Sequence, residues 1–411
     1  MSKTSTLQIV QTGLGTTPDR GIIQSLWIEI PANCDLKCPY CFCATLRDHR
    51  DERKKNIAWD SHNPFKYRSD IYIKNILEPF AKRIDAWNKA TPTERVGAFD
   101  CPHENSEGQI RGAIAIPGAG EPFHPSNLDL TLELIDVAER LNLHITIFTT
   151  GHWITSDLAK ELISKDLVLL VKYNSAIQSV QNRLVGQSKD GPFFFQRQKA
   201  FQRLIDTGFN KSYGVPEKMN YRETRLGIVT SVMKEIITEL PDLLRYARKN
   251  NIIFDCDTIL ERGRGEGCSQ IPDDETTRTV FNELQRIDSE EFGNQWNVSR
   301  SYIGTTCDRF RHHLYIKNSG TISPCVGAID IKLGNVKTGP EALYNAWNSP
   351  LMKNVIRQHV YKGKCATCQN YFEQTCYSCL GRCRDMNVQL DADRDNIAVP
   401  SVGCWNNRTS I

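Results

Sequence analysis

With 411 residues, the chain is long enough for one large domain plus a smaller one, with a sizeable buried core. Apolar residues make up 40%, charged residues 24%, and the formal charge is only +3. That is the profile of an ordinary globular protein, and it argues against nucleic acid or an anionic membrane as partner. The stretch 1–20 is polar and lacks the apolar core of a signal peptide, so a cytoplasmic location is expected.

Residues 21 to about 260 alternate strand-like apolar runs with amphipathic stretches, the pattern of consecutive βα units. The first strand is expected at 26–30. It runs into Asn33-Cys34-Asp35-Leu36-Lys37-Cys38-Pro39-Tyr40-Cys41, a loop with the spacing C-x3-C-x2-C. A polar insertion follows at about 47–68. Next come Ile71, Ile73, Ile76, Leu77, Phe80 and Ile84 at helical spacing, and a second irregular insertion at 91–109. The strand at 113–116 ends in Pro117-Gly118-Ala119-Gly120-Glu121-Pro122 and is followed by a helix at 127–141.

A third strand at 144–148 leads through Thr149-Thr150-Gly151 to a helix at about 156–165. The fourth, at 167–171, carries Lys172-Tyr173-Asn174-Ser175 at its end, with helical stretches near 175–184 and 195–207. Strand five spans 226–232, with its helix at 240–250, and strand six spans 252–260. This alternation implies a parallel sheet, because right-handed crossovers bring each strand beside the last. In parallel αβ barrels the site lies at the C-terminal strand ends. The cysteine loop, the glycine motif and the Asn174-Ser175 pair all fall at such ends.

Beyond strand six, Glu261-Arg262-Gly263-Arg264-Gly265-Glu266-Gly267 reads as a domain hinge, and a helix is expected at 273–287. From about residue 300 the chain is short on periodicity and rich in cysteine, so clusters or metals would have to serve as staples. The expected organisation is an extension at 1–20, a barrel-like domain at 21–262, a linker with one helix at 263–299 and a cysteine-rich domain at 300–411.

Fifteen cysteines without an export signal are the anomaly. Disulfides are disfavoured in a reducing compartment, so clustered cysteines point to metal or cluster ligation. Cys34, Cys38 and Cys41 stand together. Eight more read Cys307-x12-Gly320-x4-Cys325, Cys365-x2-Cys368, Cys376-x2-Cys379-x3-Cys383 and Cys404. Three thiolates on one short loop can hold three irons of a [4Fe–4S] cube and leave the fourth iron open to a small molecule. Taken alone, Cys365, Cys368, Cys376 and Cys379 would suit a four-thiolate zinc knuckle in a non-enzymatic interaction protein. Cys43, Cys101, Cys256 and Cys268 read as buried or surface thiols without a ligating role. The nine histidines form no clustered ligand set. No lone cysteine is paired with an orienting group, as a nucleophilic hydrolase requires.

The cysteine loop, with Tyr40 before its last cysteine, resembles the cluster loop of the radical SAM family. Ala119-Gly120-Glu121-Pro122 resembles that family's Gly-Gly-Glu-Pro motif, with Ala in first place. The C-terminal cysteines resemble the SPASM extension of these enzymes, but the gap after Cys368 is longer than usual and holds the extra Cys376. The resemblance implies an α/β fold: a partial (β/α)6 TIM-like barrel followed by a cysteine-rich, mostly irregular auxiliary-cluster domain.

It further implies that the open iron of the first cluster binds S-adenosylmethionine. One electron, from a low-potential donor such as flavodoxin or ferredoxin, would split the bound molecule to a 5′-deoxyadenosyl radical that takes a substrate hydrogen. Tyr40, Gly118, Ala119, Gly120, Glu121 and Pro122 would border the cofactor, the motif holding the methionyl amino group through backbone oxygens and the acidic side chain. Asn174 and Ser175 would lie near the ribose and carboxylate, with a helix cap as their competing role. Gly227-Ile228-Val229, with Ile228 as the named contact, would flank the adenine, a buried strand being the competing role.

Two auxiliary [4Fe–4S] clusters are implied, able to take up the electron left after hydrogen abstraction. Cys307, Cys325 and Cys383 would share the first, and Cys365, Cys368, Cys379 and Cys404 the second. Cys376 either completes the first or exchanges with Cys379. The substrate implied by family prevalence is a peptide or protein side chain, to be oxidised or crosslinked. Dehydrogenation or epimerisation of a sugar, aminocyclitol or other small molecule is the alternative. Two features lean toward that alternative: no peptide-recognition domain is seen before the barrel, and Lys172-Tyr173-Asn174-Ser175 departs from the Ser-Leu-Asp-Gly of many peptide-modifying relatives.

Overall fold

The structure is a computed structural model that describes residues 22–42, 57–58, 67–90, 109–211, 224–293, 312–353 and 369. The expected extension at 1–20, most of both insertions, Cys43 and Cys101 lie outside the described residues. So do the auxiliary-ligand candidates Cys307, Cys365, Cys368, Cys376, Cys379, Cys383 and Cys404.

Six parallel strands appear where the apolar runs place them: β1 (Ser25–Ile28), β2 (Ala113–Ile116), β3 (His144–Thr149), β4 (Leu167–Lys172), β5 (Leu226–Val232) and β6 (Ile253–Thr258). Each pairs with the next in chain order. Between β1 and β2 run α1 (Asp70–Tyr72), a π-helical turn (Ile73–Leu77) and α2 (Glu78–Lys89). The π turn has a local cause. Pro79 has no N–H to close an ordinary turn onto Asn75, so the ladder widens just ahead of it. The later crossovers are α3 (Leu128–Arg140), α4 (Ser156–Ile163), α5 (Gln178–Leu184), α6 (Phe193–Thr207) and α7 (Leu240–Lys249).

Helix ends follow side-chain chemistry. Thr155 accepts the Leu158 N–H at the start of α4, and α6 stops at Gly208, which takes the left-handed backbone that ends helices (φ 101°). Strand side chains alternate between two faces. In β3, Ile145, Ile147 and Thr149 are buried, while His144, Thr146 and Phe148 are half-buried on the other, inner face. The buried face joins one continuous apolar core with Leu167, Leu169, Val171, Leu226 and Ile228. Each such side chain contributes about 2 kcal/mol of apolar burial.

One expectation is corrected. The glycine-rich stretch at 261–267 is a docked 3-10 turn (Gly263–Gly265), with the Arg264 N–H donating to the Cys41 carbonyl at 2.9 Å. The helix after it, α8 (Asp274–Glu290), is held to α7 by a buried bidentate pair, Arg248 to Asp288 at 2.7 and 2.8 Å. That stretch is therefore packed, not loose.

The described start of the cysteine-rich region carries regular elements. There β7 (His313–Ile316) pairs in parallel with β1, and β8 (Thr321–Ser323) and β9 (Gly334–Asn335) follow antiparallel, ahead of α9 (Ala342–Trp347). The sheet thus has nine strands in the order β6-β5-β4-β3-β2-β1-β7-β8-β9. The physical reason is the edge of β1: its unpaired backbone would template aggregation, and the four buried residues of β7 cover it. No described helix is long and apolar enough to cross a membrane.

Candidate active site

The cysteine loop leaves the C-terminal end of β1 and is pinned mainly by main-chain contacts. The Glu121 N–H donates to the Asn33 carbonyl at 2.8 Å, and the Lys37 N–H donates to the Val185 carbonyl at 3.0 Å. The Cys41 carbonyl accepts from Arg264 and Gly265. Asn127, fully buried at the start of α3, donates its amide to the carbonyls of Pro31 and Glu121 at 3.0 and 2.9 Å. Two glycines make the closest approaches. A Cβ on Gly120 would collide with the Pro31 carbonyl, and one on Gly186 would sit 2.6 Å from the Lys37 carbonyl. Gly186 also has φ +76°, which a side chain would strain. Leu36 plugs into Val185 and Phe193, with Cys34 and Cys38 packed against that cluster.

The glycine motif lies against this loop, as the strand-end placement implies. Glu121, however, is fully engaged. Its Oε1 accepts from Thr149 Oγ1 at 2.5 Å and the Phe123 N–H at 3.2 Å; its Oε2 accepts from the Thr150 N–H and Oγ1, both at 2.7 Å. Four donors saturate a carboxylate, so this side chain, 2% exposed, has no acceptor to spare for an ammonium. Its role is to tie the motif to the end of β3. From Thr150 the connection continues to His152 Nδ1 (2.7 Å), and from His152 Nε2 to Asp35 inside the cysteine loop (3.1 Å).

The remaining expected cofactor contacts separate. Gly118, Ala119, Gly120 and Pro122 stay together beside the loop, Pro122 accepting from Thr131 Oγ1 through its carbonyl. Asn174 and Ser175 are fully buried. Ser175 Oγ donates to Glu239 at 2.8 Å and accepts the Ile177 N–H at 3.0 Å, so it forms a local turn ahead of α5 and does not cap that helix, whose N-cap is Ile177. Asn174 reaches the Tyr40 hydroxyl at 2.6 Å. Ile228 is fully buried on the core face of β5, with Leu226 and Val232, while Val229 and Ser231 alternate onto the other face.

Charge at the loop is set by burial. Burial pushes the Cys38 thiol up to about 11 and neighbouring Cys41 adds to this, while the Tyr40 hydroxyl, Lys172 and Arg264 pull it back. Burial and then the Glu121 carboxylate push Cys34 well above its usual range. Lys172 is itself lowered by burial, against the pull of Cys38. Thiols held protonated in this way bind iron by releasing protons, and Lys172 and Arg264 stand ready to offset the negative charge of a thiolate-bound cluster. Cys34, Cys38 and Cys41 are in no disulfide and share one short loop, and a four-iron cube takes one thiolate per iron. The residues present fit such a cluster.

Comparison with known proteins agrees. A SPASM family model, described as an iron-sulfur cluster-binding domain, matches residues 307–369. Native anSMEcpe with bound AdoMet and Cp18Cys peptide has a similar structure: TM-score 0.56, 15% identity, 94% of this chain and 94% of that chain covered. SuiB of Streptococcus suis bound to S-adenosylmethionine superposes with TM-score 0.57 and 16% identity over 98% of this chain and 81% of that one. SuiB bound to precursor peptide SuiA gives TM-score 0.57 and 15% identity over 98% and 79%. The fold is that of a radical SAM enzyme with a SPASM domain. No curated protein sequence matches the chain.

In this radical SAM fold the inner face of the sheet carries two walls. One is aromatic: Trp27 lies 5.4 Å from Phe148 and 5.8 Å from His313, ring to ring. The other is polar, with Lys172 Nζ donating to Ser231 Oγ at 3.1 Å and Ser231 paired in register with Asp257 of β6. Sequence reasoning missed Asp35, Asn127, His152 and Lys172 as site residues. The available signal was their position: Asn127, His152 and Lys172 lie at or just beyond C-terminal strand ends. Cys325, an expected auxiliary ligand, is buried just after β8. Gly320 of its motif makes the β7–β8 turn with φ +86°. Cys256 is fully buried in the core.

Proposed function

We propose that the chain is a radical SAM oxidoreductase acting on a peptide or protein side chain. The observation that carries this is the loop of Cys34, Cys38 and Cys41, three thiols in no disulfide, held by its main chain beside the glycine motif at the end of β1. When bound, the cluster supplies the electron that splits S-adenosylmethionine and yields the radical that takes a substrate hydrogen.

The chain's own residues do the positioning. Backbone oxygens of Gly118, Ala119 and Gly120 receive the methionyl amino group, the Glu121 side chain being committed to Thr149 and Thr150. The carboxylate end meets the cationic side formed by Lys172. Substrate enters on the inner face, between the Trp27–Phe148 wall and the Lys172–Ser231 wall. The C-terminal cysteines, Cys325 among them, would hold two auxiliary clusters, whose chemistry would be to take up the electron left on the substrate, and a flavodoxin- or ferredoxin-type donor would supply the first cluster. The peptide reading is supported by similarity to anSMEcpe and SuiB, each of which has a structure with a bound peptide.

The test is anaerobic reconstitution. The protein should turn brown, with broad thiolate-to-iron absorbance near ~400 nm, and release 5′-deoxyadenosine from S-adenosylmethionine. Cys38→Ala should abolish release while auxiliary iron stays bound. Undiminished release from that variant would refute the assignment of the loop.

A further inference from the structure

The cysteine loop meets the glycine motif in two ways. At residues 31–33 the loop is held by its carbonyls: Asn33 accepts the Glu121 N–H, and the Asn127 side-chain amide bridges Pro31 and Glu121. The stretch between Cys34 and Cys38 is reached instead by side chains. Thr150 Oγ1 donates to Glu121 Oε2 at 2.7 Å and lies 2.7 Å from His152 Nδ1, and His152 Nε2 lies 3.1 Å from Asp35 Oδ2. A hydroxyl has one proton, and this one goes to the Glu121 carboxylate, so Thr150 accepts from the imidazole. Asp35 accepts as well, so the ring donates from both nitrogens. The His152 side chain is 5% exposed. Its ring meets Phe193 edge-on at 5.2 Å and lies 5.4 Å from Trp153, and Phe193 packs in turn with Leu36 of the loop. Packing fixes the ring, and the ring carries the link.

We propose that His152 is a positioning residue: through Thr150 and Asp35 it ties the middle of the cysteine loop to the glycine motif, so that the cluster-holding and S-adenosylmethionine-holding surfaces shift together or not at all. This rests on the reading of the cysteine loop given above. The need is alignment, because reacting groups misplaced by about 1 Å lose about 100-fold in rate. Shielding of His152 from water strengthens both of its hydrogen bonds. Thr150 and Asp35 bond opposite ends of the ring, so coupling between them runs through the imidazole.

The experiment uses the full chain as wild type, Thr150→Val, Asp35→Ala and the double variant. Hydrogen exchange is followed before reconstitution at the Lys37 N–H, which donates to the Val185 carbonyl in mid-loop. S-adenosylmethionine affinity and iron content are measured after anaerobic reconstitution. Each single variant should speed that exchange about tenfold, the size of one hydrogen bond to a charged group. The double variant should be no faster than the faster single, because one link cannot be broken twice. Affinity should weaken in the same non-additive pattern at unchanged iron content, and Thr150→Ser, which keeps the hydroxyl, should behave as wild type. His152→Phe keeps a ring against Phe193, removes both nitrogens and should match the double variant; it carries the test where Thr150→Val does not fold. Unchanged exchange in the variants, or effects that multiply in the double variant, overturn the proposal. Faster exchange at unchanged affinity also overturns it, by leaving His152 a structural tie alone. A wild type that loads iron but does not bind S-adenosylmethionine would instead sink the parent reading, while exchange still decides whether the link exists.

Discussion

Strand β1 is flanked by two joints built on different principles. At its C-terminal end the cysteine loop is held mainly through its main chain, by the carbonyls and N–H groups of Asn33, Lys37 and Cys41 and by the close approach of Gly120 and Gly186. Along its other edge, β7 pairs with β1 through the main chain and is tied further by buried side chains, the Glu29 carboxylate foremost. Glu29 accepts from the Tyr315 hydroxyl at 2.6 Å and the Asn318 N–H at 2.8 Å, while its own carbonyl accepts from the Tyr72 hydroxyl at 2.9 Å. The difference reflects what each joint must leave free. A loop whose side chains are to ligate iron has to be positioned by its backbone, whereas a purely structural seam can spend a carboxylate.

The largest expected effect comes from breaking the side-chain joint. Glu29→Ala leaves the Tyr315 hydroxyl and the Asn318 N–H buried without an acceptor and should destabilise the chain by about 4 kcal/mol in denaturant titration. Glu29→Gln, which keeps an acceptor, should cost well under half of that. Equal losses for the two would mean that the seam depends on packing and not on hydrogen bonding.

Next in size is the main-chain joint. Gly186→Ala adds a Cβ against the Lys37 carbonyl in a left-handed backbone and should cost about 2–3 kcal/mol. It should also lower the iron bound by the first loop, which Glu29→Gln should not do. Normal iron loading in Gly186→Ala would show that the loop does not need this approach to hold its sulfurs.

The smallest effect is a pH dependence of the Asp35–His152 link. Burial works to raise the Asp35 carboxyl, but the hydrogen bond and charge of His152 outweigh it, leaving the group below its usual range. A depressed folded-state value means that the link stabilises above the ordinary carboxylate range, near pH ~4, and is lost as pH falls below it. Asp35→Asn should therefore make stability less sensitive to acid over that window and change little at neutral pH. An identical acid profile for variant and wild type would remove Asp35 from the loop's support.

How much of this was legible before any coordinates can be judged from particular residues. Both Ala113–Ile116 and Leu226–Val232 match the expected strands to the residue, because runs bounded by turn chemistry declare themselves locally. The cysteine spacing and the glycine motif were equally plain. His313–Ile316 was not: four residues carry no usable period, and their partner strand begins 288 positions earlier at Ser25. Ile228 shows the same limit at the level of one side chain, since facing core or inner surface depends on register and not on residue type. Glu121 was read as a cofactor group because its saturation by Thr149 and Thr150 is a contact between separate strand ends.

The order of elements alone determined the alternating fold, and residue spacing alone determined the concentration of ligating sulfur on one loop after the first strand. Both are local properties, written in periodicity and in distances of a few residues. Tertiary structure decided which polar groups were already committed, which face each strand residue took, and that the ninefold sheet continues past β1 into the cysteine-rich region. Those outcomes depend on groups brought together from far apart in the chain, where burial forces every hydrogen-bonding atom to find a partner.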